Sequence, residues 1–211
     1  MEKFVRTNMR SLLTPAFLKR VGEQYHFEEK HRELLFDAAE DMRAQLAGQE
    51  GFFCIRPGQN PRARGIWRGH EDDYVIGIIT LGEGIDALQE RYQRAGRFEE
   101  AYMAETIAWE LLRAGYGQFR RWTEAQLRQR LVSFRFFGEE PELPLAWIPK
   151  LLALTGQTRV SCNRAYCLSP KKSAVFLAEM SGATPSCAGH KRPPEAEICA
   201  SCGNLNCAYR V

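Results

Sequence analysis

Four of the seven cysteines in this chain crowd its C-terminal stretch: Cys187, Cys199, Cys202 and Cys207, spaced Cys-x11-Cys-x2-Cys-x4-Cys. A Cys-x-x-Cys turn points two thiolates at one ion, and Gly203 directly after the second relieves the backbone there. Four thiolates suit tetrahedral zinc or an iron–sulfur cluster, and the spacing fits either. From Ser181 onward the composition turns to Gly, Pro, Cys and polar residues, with almost nothing to bury. A bound metal would supply the missing free energy, on the order of 10 kcal/mol for structural zinc. A dithiol redox pair and unligated thiols are the alternatives. Cys54, Cys162 and Cys167 fall near strand patterns and are expected to pack as small hydrophobes.

Other chemistry-bearing groups carry less. His26 and His31 are five apart and fall on different helix faces, unlike the His-Glu-x-x-His spacing of zinc proteases. Gly82-Glu-Gly84 and Gly115-Tyr-Gly117 lack the third glycine of a dinucleotide fingerprint. Arg62, Arg64, Trp67 and Arg68 interleave cations with an aromatic ring, but Glu71, Asp72 and Asp73 follow at once, so a charged loop is expected rather than a nucleic-acid site.

The elements that must position these groups follow from composition and period. The chain has 211 residues, 45% of them hydrophobic, and a net charge of +3 with acids interspersed throughout. That length builds one sizeable core and at most a small appendage. No apolar run spans a membrane and no secretory leader is evident, so a cytoplasmic chain with reduced thiols is expected. Thr14-Pro15 marks a helix start. Phe27 to Leu46 carries apolar residues at helical spacing, and Phe52–Ile55 and Tyr74–Thr80 suit strands. Helices are expected over Ile85–Ala95, Phe98–Ala114, Thr123–Arg130 and, interrupted near Pro149, Pro144–Thr155. Residues 131–143 suggest an ordered loop, while Arg159–Asn163 and Ser173–Glu179 suggest strands.

Three segments in this order resemble a known family. They are Val75-Ile-Gly-Ile-Ile-Thr-Leu-Gly-Glu-Gly-Ile-Asp86 with the helical start Gly96-Arg-Phe-Glu-Glu-Ala-Tyr-Met103, then Leu168-Ser-Pro-Lys-Lys-Ser-Ala-Val175, and last the Cys-x-x-Cys-x4-Cys-Ala-Tyr-Arg ending. Together they look like the stand-alone relatives of the activation (reactivation) domain of vitamin B12-dependent methionine synthase, over roughly residues 70 to 211. The resemblance implies an α+β fold, a curved antiparallel sheet carrying helices, here with the Cys-rich metal-binding tail. It divides the chain into an N-terminal helical segment (1–48), an activation-domain-like core (49–180) and the tail (181–211).

The resemblance also implies a function. The family domain binds S-adenosylmethionine and caps the cobalamin domain while inactive cob(II)alamin is reduced and remethylated. The chain would then be an accessory protein for a cobalamin-dependent methyltransferase, docking on methionine synthase or another corrinoid-binding protein and working with an electron donor. The family's Arg-x-x-Pro-Gly-Tyr loop corresponds to Arg135-Phe-Phe-Gly-Glu-Glu-Pro-Glu-Leu-Pro-Leu145, where Arg135 and Gly138 match but the motif's Pro and Tyr do not. Arg135 could pair with the methionine carboxylate, Gly138 could let backbone approach the ligand, and Phe136 or Phe137 could stack on adenine. Lys172 and Ser173 match the family's Lys-Ser, and Lys171 and Lys172 would offer positive charge to a corrinoid or an acidic partner. No catalytic residue is assigned. The alternative is a non-catalytic, zinc-stabilised module that only docks on such a partner.

Overall fold

A computed structural model describes residues 4–56, 74–139 and 141–181. Its strands are β1 (Val5–Arg6), β2 (Gly51–Ile55), β3 (Tyr74–Thr80), β4 (Arg130–Phe136), β5 (Ser161–Cys162), β6 (Leu168–Ser169) and β7 (Ser173–Ser181). Its α-helices are α1 (Pro15–Gln24), α2 (Arg32–Leu46), α3 (Glu83–Arg94), α4 (Phe98–Leu127) and α5 (Ile148–Thr155). Five strands form one antiparallel sheet in the order β1-β2-β3-β7-β4, and β5 pairs with β6 separately. The fold is α+β, as the resemblance implied.

Strand alternation sends successive side chains to opposite faces. On one face Phe52, Val75, Ile79, Phe134, Phe176, Ala178 and Met180 meet the buried sides of α1 to α4. On the other, Ile55, Ile76, Ile78, Val175 and Leu177 meet Ile148, Leu151 and Leu152 of α5. The sheet is therefore the middle of three layers. Helices α1 and α2 share the first core with α3, α4 and the sheet. Gly77 is needed here, because a Cβ would come within 2.2 Å of the Phe176 ring.

Helix starts follow local chemistry. Thr14 caps α1, its Oγ1 accepting the Phe17 N–H at 3.2 Å, with Pro15 at the first helical position. The periodic run from Phe27 enters α2 only at Arg32, after a tight turn at Glu29–His31, because the Phe27 N–H bonds back to the Gly22 carbonyl at 2.8 Å. Glu110 of α4 clamps the far end of α1. It is 6% exposed and accepts from Gln24 Nε2 at 3.2 Å, the Tyr25 hydroxyl at 3.1 Å and Arg113 Nη1 at 3.1 Å.

Four expectations change. The helices over Phe98–Ala114 and Thr123–Arg130 are one element, α4, which runs through Gly115 and Gly117. Gly115 stays in the helix for close packing: a Cβ there would lie 2.9 Å from Met9 Cε. Thr123 is a buried mid-helix residue whose Oγ1 lies 3.8 Å from Cys54 Sγ, not the start of a separate helix. Residues 130–136, inside the expected helix and loop, form β4; a register shift between Leu131 and Ser133 breaks the alternation that would have announced it. Pro149 sits in the first turn of α5 and interrupts nothing, and the strand at Arg159–Asn163 shortens to β5.

The set Cys187, Cys199, Cys202 and Cys207 lies outside the described residues. Among the described residues no group of three or more His, Cys, Asp or Glu is placed to hold a metal, and no helix is long and apolar enough to cross a membrane.

Candidate functional site

Three of the four sequence-predicted ligand positions, Gly138, Lys172 and Ser173, gather at one end of the sheet, where β3 and β4 finish and β7 begins. Thr80 and Ser173 are register partners there. Ser173 Oγ donates to Thr80 Oγ1 at 2.8 Å, and Thr80 Oγ1 also accepts the Gly82 N–H at 3.0 Å. One further bond, Leu81 N–H to the Lys172 carbonyl at 2.9 Å, carries the ladder past the last paired strand residues. Gly82 then turns the chain at φ +86°, and a Cβ there would strike Gln49 at 2.4 Å. Gln49 Oε1 accepts the Gly84 N–H at 3.1 Å, so the first turn of α3 is capped from the end of α2. The Gly82-Glu-Gly84 pair is structural.

Lys172 points to the helix side, between α3 and α4. Its side chain is 6% exposed and its ammonium pairs with Glu105. The same ammonium sits 4.8 Å from the centroid of the Trp109 ring. Trp109 Nε1–H donates to Glu105 Oε1 at 3.0 Å, and Gln89 Nε2–H donates to the other carboxylate oxygen. Burial alone would push the Glu105 carboxyl up, but the hydrogen bonds from Lys172 and Gln89 and the lysine charge outweigh it and hold it below the usual range. The charge of Lys172 is thus met inside the protein. Lys171 is the exposed cation at this end. Its backbone N–H donates to Asp86 Oδ2 at 2.7 Å, while Asp86 Oδ1 is buried with no hydrogen-bond partner among the described residues.

Arg135 lies on β4 opposite Leu177, with Phe134 and Phe136 to either side turned toward the helices. Alternation places its half-buried side chain on the α5 face. Strand β7 runs five residues from Lys172 to Leu177, so Arg135 and Lys172 are separated by roughly 17 Å along the strand direction. Gly138 ends β4 in a tight turn. Its φ is +89°, its N–H meets the Leu143 carbonyl at 2.6 Å, and a Cβ would lie 2.9 Å from Leu145. The Phe136 ring packs edge-on to Tyr116 at 5.8 Å and against Phe176 at 6.1 Å. Phe137 is 7% exposed in the α5-side core. Gly138, Lys172 and Ser173 therefore share a sheet end, Arg135 stands apart on one face, Phe137 is a core residue and Phe136 is half-buried against the helix-side core.

Sequence reasoning missed Gln89, Glu105 and Trp109. The i,i+4 spacing of Glu105 and Trp109 on a helix was visible, but their link to Lys172 spans 67 residues of chain. It also missed a groove of about 570 Å³ between α1 and α2, lined by Leu18, Lys19, Phe27, Arg32, Leu35 and Phe36. Of the three described cysteines, Cys54 is packed as expected, and burial pushes its thiol up to about 11. Cys162, half-buried, also packs as expected, against the α5-side core, whereas Cys167 is exposed, contrary to expectation.

No protein-family model matches the chain, and no curated protein matches it at a significant level. Its three-dimensional fold does have a solved counterpart. The MetH reactivation domain, in a crystal structure bound to AdoHcy, superimposes with a TM-score of 0.57 at 14% identity. The match covers 88% of this chain and 80% of that one. At this identity the likeness establishes the fold: the chain has the architecture of a reactivation domain, in agreement with the resemblance drawn from its motifs.

Proposed function

We propose that the chain is an accessory protein for a cobalamin-dependent methyltransferase of the methionine synthase type, docking on a corrinoid-bearing partner and supporting its reductive activation. One electron takes cob(II)alamin to cob(I)alamin, which accepts the methyl group of S-adenosylmethionine to give methylcobalamin and S-adenosylhomocysteine. The protein's part is to hold methyl donor and cobalt in line. The observation that carries this reading is the fold shared over 88% of the chain with a domain named for reactivation and bound to AdoHcy. Arg135, half-buried on the α5 face, is the residue proposed to meet the carboxylate of the methyl donor, with Gly138, Lys172 and Ser173 shaping the adjoining sheet end. Cys187, Cys199, Cys202 and Cys207 are proposed to hold zinc or an iron–sulfur cluster; a cluster would serve as the point of electron entry.

The test uses a cobalamin-binding partner in its cob(II) state with S-adenosylmethionine and a chemical reductant, followed by its visible spectrum. Methylcobalamin should form faster with the chain present. Equal rates with and without it, together with no co-sedimentation, would refute the proposal. Metal analysis and the spectrum of anaerobically isolated protein, repeated with Cys202→Ala, assign the tail.

A specific observation favours the second reading, a zinc-stabilised module that docks without using S-adenosylmethionine. The positions matched to the family's motifs are spent internally: Phe136 packed on the helix-side core, Phe137 inside the α5-side core, Gly138 in a closed turn, Lys172 on Glu105. Calorimetry separates the two. Absence of heat at millimolar S-adenosylmethionine with partner binding intact selects the docking module.

A further inference from the structure

Helix α4 has one meridian with two fates. Leu112, Tyr116, Phe119 and Thr123 fall on it, and all are buried. Tyr116 and Phe119 pack their rings on Phe134 and Phe176 of the sheet, at 5.0 to 6.3 Å between centroids. Toward the N-terminus the same meridian continues through Trp109, Glu105, Tyr102 and Phe98. Phe98 is 68% exposed, Tyr102 54% and Trp109 39%. These are three of the large hydrophobic side chains most open to solvent among the described residues. A contiguous aromatic ridge of this kind marks an interaction surface.

We propose that this ridge is a self-association surface, in which the α4 helices of two copies pack antiparallel about a two-fold axis crossing between Met103 and Ala104. The occupant follows from the spacing. Phe98, Tyr102, Glu105 and Trp109 are separated by 4, 3 and 4 residues, the seam spacing of packed helices, and the series is the same in both directions. A two-fold axis at its centre places Phe98 against Trp109 of the second copy, and Tyr102 against Glu105 of the second copy. Both pairings are chemically complementary. Two aromatic rings meet at each outer position. At each inner position a phenol hydroxyl, a donor, meets a carboxylate whose side chain is 34% exposed. Glu105 already accepts from Lys172, Trp109 and Gln89, and a carboxylate has room for about four such bonds.

The ridge is also preorganised. The Trp109 indole is fixed by Glu105 on its edge and by the Lys172 ammonium near its face, so little freedom is lost on association. Arg113, one turn beyond Trp109, arrives already paired with Glu110 at 3.1 Å, so it brings no bare charge to the ridge.

Sedimentation of the full chain over a range of concentrations is the test, with circular dichroism confirming the fold of every variant. The wild type should show a concentration-dependent dimer. Phe98→Lys, at the most exposed position, should raise its dissociation constant about 30-fold or more. Trp109→Glu should do the same, and the two changes in one chain should restore the dimer, because the new charges face each other across the axis. A monomer at all concentrations overturns the proposal, as does a dimer indifferent to Phe98→Lys. A folded double variant that stays monomeric overturns the antiparallel register. A wild-type monomer that associates through this ridge only with a corrinoid-bearing partner also overturns it. The rate of methylcobalamin formation is read separately on the wild type, so loss of the dimer proposal leaves the proposed function standing.

Discussion

The two faces of the sheet are filled by different chemistry. On the helix side rings interlock: Phe176 stands edge-on to Phe119 at 5.0 Å, Phe134 at 5.2 Å and Tyr116 at 5.3 Å. On the α5 side the fill is mainly aliphatic, with Ile76, Ile78, Val175 and Leu177 under Leu151 and Leu152 and only Phe53 and Phe137 as fully buried rings among the described residues. Edge-to-face rings fix distance and angle together, whereas branched aliphatic chains repack with small shifts. The first face is therefore the rigid one, and it is the face on which Lys172 is locked to α4. The second carries Arg135 and the turn at Gly138, on a thinner layer with one short helix.

That contrast can be broken by substitution. Phe176→Ala should lose about 4 kcal/mol in denaturant unfolding, since the ring is fully buried and packs on three other rings. Leu151→Ala on the opposite face should lose about 2 to 3 kcal/mol. Equal losses would mean that the two faces are equally plastic. Gly138→Ala should cost about 1 to 2 kcal/mol from its left-handed backbone and the contact with Leu145, and it should leave the near-ultraviolet signal of the helix-side rings unchanged.

The pH dependence separates the polar devices. Glu105 has a folded-state pKa below its unfolded value, so its contribution is fully present above the ordinary carboxylate pKa of about 4.3. It is lost as pH falls through the lower folded value. Glu105→Gln should flatten that part of the stability curve, while Ser173→Ala, at a hydroxyl pair with no titration in this range, should leave its slope as in the wild type. The smallest effect is chemical. At pH 8 iodoacetamide should label exposed Cys167 well before Cys54, whose thiol is buried and pushed up to about 11; peptide mass mapping reads the order.

The architecture was legible where period was intact. The β-branched run Tyr74–Thr80 and the stripe of α2 needed no tertiary information. Strand β4 was not legible, because its bulge moves Ser133 out of step and its charged residues mimic a loop. Helix α4 seemed divided because glycine in a helix usually signals an end, whereas Gly115 is there to admit Met9. At the site, Lys172 and Ser173 were found by motif, but their partners were not, since Glu105 and Thr80 approach from distant parts of the chain. Sequence assigned Lys172 an outward role because nothing local shows that its charge is already neutralised.

Strand β7 is the last described element, yet it lies between β3 and β4 and pairs with both. During synthesis, every residue of the neighbouring strands and helices leaves the ribosome before the piece that joins them. Until Ser173–Ser181 emerges, β4 has no strand to pair with, and the rings awaiting Phe176 face an open seam. The nascent chain is thus a set of helices beside an incomplete sheet, and a premature stop before residue 173 should yield an aggregating product rather than a smaller folded one.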